Sequence, residues 1–429
     1  MSRLRRAGVV VGLGLLILAA GLWWWQAGRS GVPLSPPAEL RAGAASRVEQ
    51  GAYLARAGNC MLCHTPTGGA PYAGGRAIET PFGTVYSSNL TPDRETGIGT
   101  WTSVDFWRAM HEGRSKDGSL LLPAFPYTSF TQVSQDDANA LFAYLRSLPA
   151  VQQPNRAHAL RWPYDSQLAL AAWRTLYFEP MAFQSDPARA PEWNRGAYLV
   201  RGLGHCSACH TSRNRLGAVD DRLDLSGGPM PMQNWYAPSL VQASEAGLGE
   251  WSSDEIVRLL QTGVAASASV IGPMAEVVLH STQYLTPQDL RAIAVYLQSL
   301  AQHESTSRAS GVAPAPAQAS VLGADIYDTQ CAGCHGDNGQ GVAGAYPALA
   351  GNRAVLMTPT ANLVQVVLHG GFAPATRGNP RPFGMPPYKL ELDDRSVAAV
   401  LTHIRSAWGN NAAPLRELDV ARYRGTAQR

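Results

Sequence analysis

The sequence predicts an all-α protein of three tandem helical domains that follow an N-terminal hydrophobic helix. Three observations predict it. A Cys-x-x-Cys-His motif occurs three times and uses all six cysteines, at 60–64, 206–210 and 331–335. Each motif is flanked by apolar residues at helical spacing. The length of 429 residues also fits about three domains of roughly 150 residues each.

The first predicted element is a membrane anchor or signal peptide at residues 1–30. Arg3, Arg5 and Arg6 precede an uncharged, mostly aliphatic run that ends in three tryptophans. This run is just long enough to span a hydrocarbon core, and tryptophan is typical of the interface. Because no Ala-x-Ala cleavage signal follows, we expect an uncleaved transmembrane anchor rather than a cleaved signal helix. The arginines would face the cytoplasm and the remaining domains the periplasm.

The charge of the chain argues against nucleic acid as a partner and against electrostatic steering of an acidic redox partner. The chain has 35 basic and 32 acidic residues, and the three N-terminal arginines account for its net charge of +3. The exported body is therefore formally neutral. It has no block of basic residues for nucleic acid and no lysine-rich face for steering an acidic redox partner.

The three motifs have the spacing of c-type haem attachment sites, in which two thiols form thioethers and the adjacent histidine binds iron. Zinc sites would need four ligands per ion and a different histidine spacing. Disulfides within each pair would leave the repeated histidines unexplained. The sequence thus predicts three covalent haems c. The predicted attachment residues are Cys60, Cys63, Cys206, Cys209, Cys331 and Cys334, and the predicted proximal iron ligands are His64, His210 and His335.

Internal repeats set the domain boundaries. Trp101 and Trp251, like Gly113 and Gly263, are 150 residues apart, so the first two domains are duplicates. The predicted order is domain 1 at 45–150, an interdomain strap at 151–190, domain 2 at 191–301, a flexible linker at 302–320, domain 3 at 321–412 and a C-terminal tail at 413–429.

Each domain is predicted to hold its haem between crossing helices. A helix rich in small and aromatic residues precedes each motif, and capping residues at Thr102 and Ser252 begin another. Apolar residues at helical spacing then predict a closing helix in each domain, at 136–148, 287–300 and 393–408.

The sixth iron ligand is predicted in two domains only. Met274 and Met385 lie in loops before the closing helices, where a thioether raises the reduction potential, with Met230 and Met232 as alternatives in domain 2. In domain 1, Phe125 occupies the corresponding position. Met110 and His111 are interpreted as packing and surface residues, so haem 1 is five-coordinate or has a sixth ligand that the sequence does not name.

The proximal histidines need a hydrogen-bond acceptor for their second ring nitrogen, which orients the imidazole. The candidate acceptors are the backbone carbonyls of Pro347 in domain 3, Pro238 in domain 2 and Ser88 at the repeat-matched position in domain 1. Ordinary loop prolines are an equally good interpretation.

Taken together, these motifs resemble the three-haem cytochrome c subunits of bacterial membrane-bound dehydrogenases that oxidise alcohols, gluconate, sorbitol or aldehydes. The resemblance spans about residues 48–412 and includes the segments at 89–93, 97–101, 272–274 and 404–410. It implies three tandem class I cytochrome c domains on the periplasmic side of the cell inner membrane. It also implies a quinoprotein, flavoprotein or molybdenum catalytic subunit as partner, and ubiquinone or a terminal oxidase as acceptor. The retained anchor and Phe125 depart from that family's pattern.

Two other functions stay open. The chain could be a stand-alone relay to an oxidase, or a haem enzyme that works at an open iron in domain 1. The sequence has no dinucleotide fingerprint, phosphate loop or nucleophile with a base, so it predicts no catalytic site for substrate oxidation. Whether the chain belongs to an enzyme therefore depends on a partner subunit.

Overall fold

The computed structural model describes residues 44–220, 224–266, 268–300 and 317–425, together with Gly21. The predicted anchor at 1–30 lies outside the described residues except for Gly21, as does the predicted linker except for 317–320. Within the described part of the chain, no helix is long and apolar enough to cross a membrane. The chain divides into two compact units, one of Met1–Ala55 with Cys63–Gln184 and one of Arg56–Leu62 with Ser185–Arg429.

The structure is mostly helical. Up to residue 184 the elements are α1 (Ala44–Ala57), α2 (Cys60–His64), β1 (Ala77–Thr80), β2 (Gly83–Tyr86), α3 (Ser103–Glu112), α4 (Tyr127–Phe130), α5 (Gln135–Ser147), β3 (Ala159–Leu160) and α6 (Gln167–Tyr177).

Helices also dominate the remainder. Its elements are α7 (Pro191–Arg201), α8 (Ser207–His210), β4 (Gly228–Pro229), β5 (Tyr236–Ala237), α9 (Ser253–Thr262), α10 (Pro273–His280), α11 (Pro287–Gln298), α12 (Ala317–Ile326), α13 (Ala332–His335), α14 (Arg353–Leu356), α15 (Ala361–His369), β6 (Gly371–Phe372), β7 (Gly384–Met385), α16 (Asp394–Ser406) and α17 (Glu417–Arg424). Short 3₁₀ turns at Leu248–Glu250 and Thr282–Tyr284 and a π-turn at Tyr327–Cys331 connect them.

The same helix crossing occurs three times, where the helix before each motif meets a closing helix. A glycine lies at each crossing, because a β-carbon there would overlap the backbone of the partner helix. Such a β-carbon at Gly51 would lie 2.6 Å from the carbonyl carbon of Ala140. At Gly196 it would lie 2.6 Å from that of Ala292, and at Gly323 it would lie 2.8 Å from that of Ala399. The predicted crossing of first and last helices is confirmed.

Side-chain caps fix where the helices begin. Thr102 and Asp105 form a reciprocal capping box at α3, and Ser252 accepts a hydrogen bond from the backbone of Glu255 at α9. Both caps were predicted from the sequence. The closing helices α5, α11 and α16 are capped by Ser134, Thr286 and Asp393, and their ends agree with the predicted ones to within two residues.

The structure also contains short β-strands, which are absent from the all-α fold that the sequence predicts. β1 and β2 form an antiparallel hairpin, and β3 from the predicted strap adds a third strand beside Gly83 and Thr84. The two-residue pairs β4–β5 and β6–β7 are antiparallel as well. These strands are too short for the sequence to show alternation of apolar and polar residues, so periodicity could not detect them.

The predicted C-terminal tail is part of a folded core. Leu415 and Val420 belong to the buried cluster formed around α15 and α16, and Val420 is 0 % exposed. Arg424 on α17 pairs with Asp394 at the start of α16. The sequence predicts a C-terminal tail, whereas in the structure Val420 and the Arg424–Asp394 pair dock α17 on this core.

Within the second unit, α14 and α15 contact the segment between β4 and α9. The Asn362 side chain donates to the carbonyl of Tyr236 at 2.7 Å and accepts from its N–H at 2.8 Å. The Arg353 guanidinium donates to the carbonyls of Ala243 and Gly247, each at 3.1 Å, and pairs with Glu250. These bonds join the region predicted as domain 3 to the region predicted as domain 2.

Candidate haem sites

Each Cys-x-x-Cys-His motif lies on a short helix that follows an irregularity in the backbone. Asn59 and His205 have left-handed backbone conformations, with φ of 49° and 37°, immediately before Cys60 and Cys206. In the third motif the π-turn that ends at Cys331 takes that place. The chain thus leaves the preceding long helix and presents two cysteines and a histidine on one short turn.

The three motif histidines share one hydrogen-bonding pattern. Nδ1 of His64 lies 2.7 Å from the carbonyl oxygen of Ser88, Nδ1 of His210 lies 2.7 Å from that of Pro238, and Nδ1 of His335 lies 2.9 Å from that of Pro347. All three predicted acceptors are therefore confirmed. Because a carbonyl can only accept, the proton sits on Nδ1, and Nε2 keeps its lone pair for a metal.

The protonation states fit iron binding by the same atoms. Burial lowers the pKa of His64, His210 and His335, while the backbone hydrogen bond raises it in each case by a smaller amount. The imidazoles are thus neutral, which is the form that binds a metal.

The cysteines fit thioether formation better than zinc binding. Cys206, Cys209, Cys331 and Cys334 form no disulfide. Burial and the neighbouring cysteine raise the pKa of Cys206 to about 12 and that of Cys331 to about 11. A zinc site needs four ligands per ion and each motif supplies three, whereas two cysteines and one histidine are the residues that haem c attachment uses. The residues present therefore fit covalent haem.

Met385 lies close to the third motif. It is in β7, opposite Gly371, and packs against the same buried cluster as Cys331. The hydroxyl of Tyr388 in this loop donates to the carbonyl of Gln330 at 2.9 Å, which ties the loop to the motif. This placement agrees with a distal role for Met385.

Met274 is the second residue of α10 and follows a turn at Gly272 that has no room for a side chain. Gly272 has φ of 57°, and a β-carbon there would lie 2.7 Å from the Trp235 ring. Trp235 begins the segment that ends at Pro238, the acceptor for His210. The Met274 loop and the second motif thus contact the same short segment. Of the two alternatives, Met232 is 61 % exposed, whereas Met230 also contacts this segment, because its N–H donates to the Trp235 carbonyl at 2.8 Å.

Domain 1 differs, as the sequence predicts. Phe125 lies in the loop before α4 and packs against the Phe130 ring at 5.3 Å. His111 is not a surface residue, which corrects that interpretation. It is 0 % exposed, stacks on Trp107 at 4.4 Å and has Nδ1 at 2.8 Å from the Thr131 carbonyl. Since protein encloses His111 on every side, it could reach an iron only if this packing opened.

Sequence reasoning missed a buried carboxylate next to the second motif. Glu245 is 8 % exposed, and one of its oxygens accepts a hydrogen bond from the backbone N–H of Ser239 at 2.7 Å. Its other oxygen accepts from the Tyr236 hydroxyl at 3.2 Å. The only sequence signal is the repeat, which aligns Glu245 with Glu95.

Known proteins with similar sequences include cytochromes c. The cytochrome c family model matches residues 320–408. The cytochrome c subunit of a quinone alcohol dehydrogenase from Gluconacetobacter polyoxogenes is 41% identical, over 88% of this chain and 84% of that protein. The gluconate 2-dehydrogenase cytochrome c subunit from Pantoea cypripedii is 39% identical, over 88% and 89%. The fructose dehydrogenase cytochrome subunit from Gluconobacter japonicus is 34% identical, over 85% and 80%.

Proposed function

This chain belongs to the family of cytochrome c subunits of alcohol, gluconate and fructose dehydrogenases, and from that premise we propose that it carries three covalent haems c in three tandem domains. When bound, each haem supplies a one-electron carrier. The chain receives electrons from a dehydrogenase catalytic subunit and passes them to membrane ubiquinone or a terminal oxidase.

The observation that carries the proposal is the threefold repetition of one arrangement. In each motif, two cysteines precede a histidine whose Nδ1 is held by a backbone carbonyl. Cys60 and Cys63, Cys206 and Cys209, and Cys331 and Cys334 would form the thioethers. Nε2 of His64, His210 and His335 would bind iron, with Met274 and Met385 on the distal side of the second and third haems.

The partner and the location are also proposals. A quinoprotein, flavoprotein or molybdenum subunit would oxidise the substrate, since the relatives are named as cytochrome subunits of dehydrogenases. The arginines and the apolar run of residues 1–30 support an anchor in the inner membrane, with the haem domains in the periplasm.

The test is to purify the full chain from its own membranes and identify the subunits that come with it. We expect a large catalytic subunit, three haems per chain by pyridine haemochrome assay, and haem reduction when the partner's alcohol, sugar or aldehyde substrate is added. A haem count of two, or a chain that purifies alone and is reduced by no such substrate, would reject the proposal.

Single-site variants test the ligands. His64→Ala, His210→Ala and His335→Ala should each alter the absorption spectrum of one haem out of three. His280→Ala is the matched control, because His280 pairs with Glu276 on the surface of α10 and should leave the spectrum unchanged.

A further inference from the structure

We propose that Glu245 tunes the reduction potential of the haem at the second motif by acting on the peptide bond that orients His210. The inference rests on the proposed function, because it needs a haem attached at 206–210. Glu245 would be a positioning residue, since it hydrogen-bonds to Ser239 and Tyr236 and acts on His210 through the Pro238–Ser239 peptide.

The Glu245 carboxylate and the His210 imidazole hydrogen-bond to the two polar groups of one peptide, Pro238–Ser239. The carbonyl of Pro238 accepts the hydrogen bond from Nδ1 of His210 at 2.7 Å, and the N–H of the same peptide group, which belongs to Ser239, donates to Glu245 at 2.7 Å. Ser239 is 0 % exposed and Glu245 is 8 % exposed. The two bonds lie in a region from which bulk water is excluded.

The direction of the effect follows from amide polarisation. A carboxylate that accepts from the N–H shifts electron density toward the carbonyl oxygen of the same peptide group, which strengthens that oxygen as an acceptor. A stronger acceptor makes the His210 imidazole a better electron donor to a metal. Such a ligand stabilises the oxidised iron, so Glu245 lowers the reduction potential at this site.

The other two motifs provide an internal comparison. At the first motif, the N–H that follows the Ser88 carbonyl belongs to Asn89 and donates to the neutral Asn155 side chain at 2.8 Å. Glu95, the repeat counterpart of Glu245, instead accepts from the Gln152 side chain. At the third motif, no side chain among the described residues accepts from the N–H of Ala348, which follows Pro347. Among the residues that the structure describes, a carboxylate accepts from this peptide N–H at the second motif alone.

Contacts from α14 and α15 hold this arrangement in place. Arg353 donates to the carbonyls of Ala243 and Gly247, on either side of Glu245. Asn362 pairs with both backbone groups of Tyr236, whose hydroxyl donates to Glu245. The carboxylate therefore has a fixed position relative to the Pro238–Ser239 peptide.

The experiment is a spectroelectrochemical titration of the full-length protein and its Glu245→Gln variant. Glutamine keeps the shape and an acceptor oxygen but removes the charge. We expect the reduction equilibrium of one haem to shift about tenfold toward the reduced form, which is about 59 mV for a one-electron couple. The other haems and the visible spectrum should not change. Glu95→Gln is the matched control and should shift no potential.

Two further variants keep the proposal falsifiable if Glu245→Gln folds poorly. Tyr236→Phe removes a hydrogen bond that disperses the negative charge of Glu245. The reduction potential of the same haem should therefore shift in the opposite direction. Asn155→Asp places a carboxylate on the Asn89 N–H and should lower the potential of a different haem. Unchanged potentials in folded Glu245→Gln, or in both substitute variants, would overturn the proposal, as would an equal shift in Glu95→Gln.

A separate measurement distinguishes an error in the proposed function from an error in the role of Glu245. Mass spectrometry of the proteolytic peptide that contains Cys206 and Cys209 reports whether haem is attached there. A peptide without haem would reject the proposed function itself, whereas an attached haem with unchanged potential would reject only the role of Glu245.

Discussion

A single methyl group at Gly196 should destabilise the helix crossing that frames the second haem motif. The β-carbon of Gly196→Ala would overlap the carbonyl oxygen of Ala292 and would lie 2.6 Å from its carbonyl carbon and 2.8 Å from Cβ of Tyr296. Carbon atoms not bonded to each other pack at about 3.5–4.0 Å, so α7 and α11 would have to separate by roughly 1 Å. None of the contacted atoms is the end of a flexible side chain that could rotate away.

The expected change in the free energy of unfolding is the difference between two opposing effects. Overpacking a tight core costs about 1–3 kcal/mol, whereas replacing glycine by alanine within a helix gains about 0.5–1 kcal/mol. Since the obstacle is backbone, we take the upper part of the first range and expect a loss of about 2 kcal/mol. For 429 residues, at an unfolding entropy of about 2.1 cal/mol/K per residue, that lowers Tm by about 2 °C.

Thermal unfolding followed by far-ultraviolet circular dichroism checks this value. Gly425→Ala is the control, because a β-carbon at Gly425 would meet nothing within 4 Å and its backbone is right-handed helical. The control should unfold at the wild-type temperature. A Gly196→Ala protein as stable as wild type would show that the helices do not cross as closely as the structure has them.

Three further predictions concern the distal ligands, a buried histidine and the C-terminal helix. Met274→Ala and Met385→Ala should each lower the potential of one haem in a redox titration, because a thioether ligand favours the reduced iron; unchanged potentials in both would reject the ligand assignment. Burial lowers the pKa of His111, so the unfolded chain binds a proton more readily, and stability should fall as the pH drops below about 6.5. His111→Gln should weaken this pH dependence in denaturant titrations, and an unchanged profile would contradict it. Val420→Ala should cost about 2 kcal/mol by leaving a cavity in the core, whereas Leu418→Ala, at an exposed position on the same helix, should cost little.

The sequence predicted those parts of the structure that depend on local pattern. The motif spacing identified Cys206, Cys209 and His210 as candidates. Pro238 and Pro347 were candidate acceptors as loop prolines, and repeat matching added Ser88. Capping residues placed the starts of α3 and α9, and helix periodicity placed both ends of α5, α11 and α16 to within two residues. These features could be found because each is determined by residues close together in the chain.

Features that depend on distant segments were missed. β3 forms only because the strap returns to Gly83, and Val420 is buried only because α16 lies beside it. His111 was interpreted as a surface residue since its repeat counterpart is Gln261, yet Trp107 and the Thr131 carbonyl enclose it. A single histidine on a helix does not reveal which face the rest of the fold will cover.

The contacts of Arg353 and Asn362 bear on how electrons could pass between the second and third motifs. The sequence predicts a flexible linker at 302–320, between domains 2 and 3. In the second unit, however, Asn362 binds the backbone of Tyr236, two residues before the acceptor for His210, and Arg353 binds carbonyls on both sides of Glu245. The acceptors are backbone atoms, so no residue pattern in the sequence could have indicated this interface. A linker only limits how far two segments can separate, whereas these bonds fix their relative position. The distance between the second and third motifs is therefore set by this interface and not by the length of the linker.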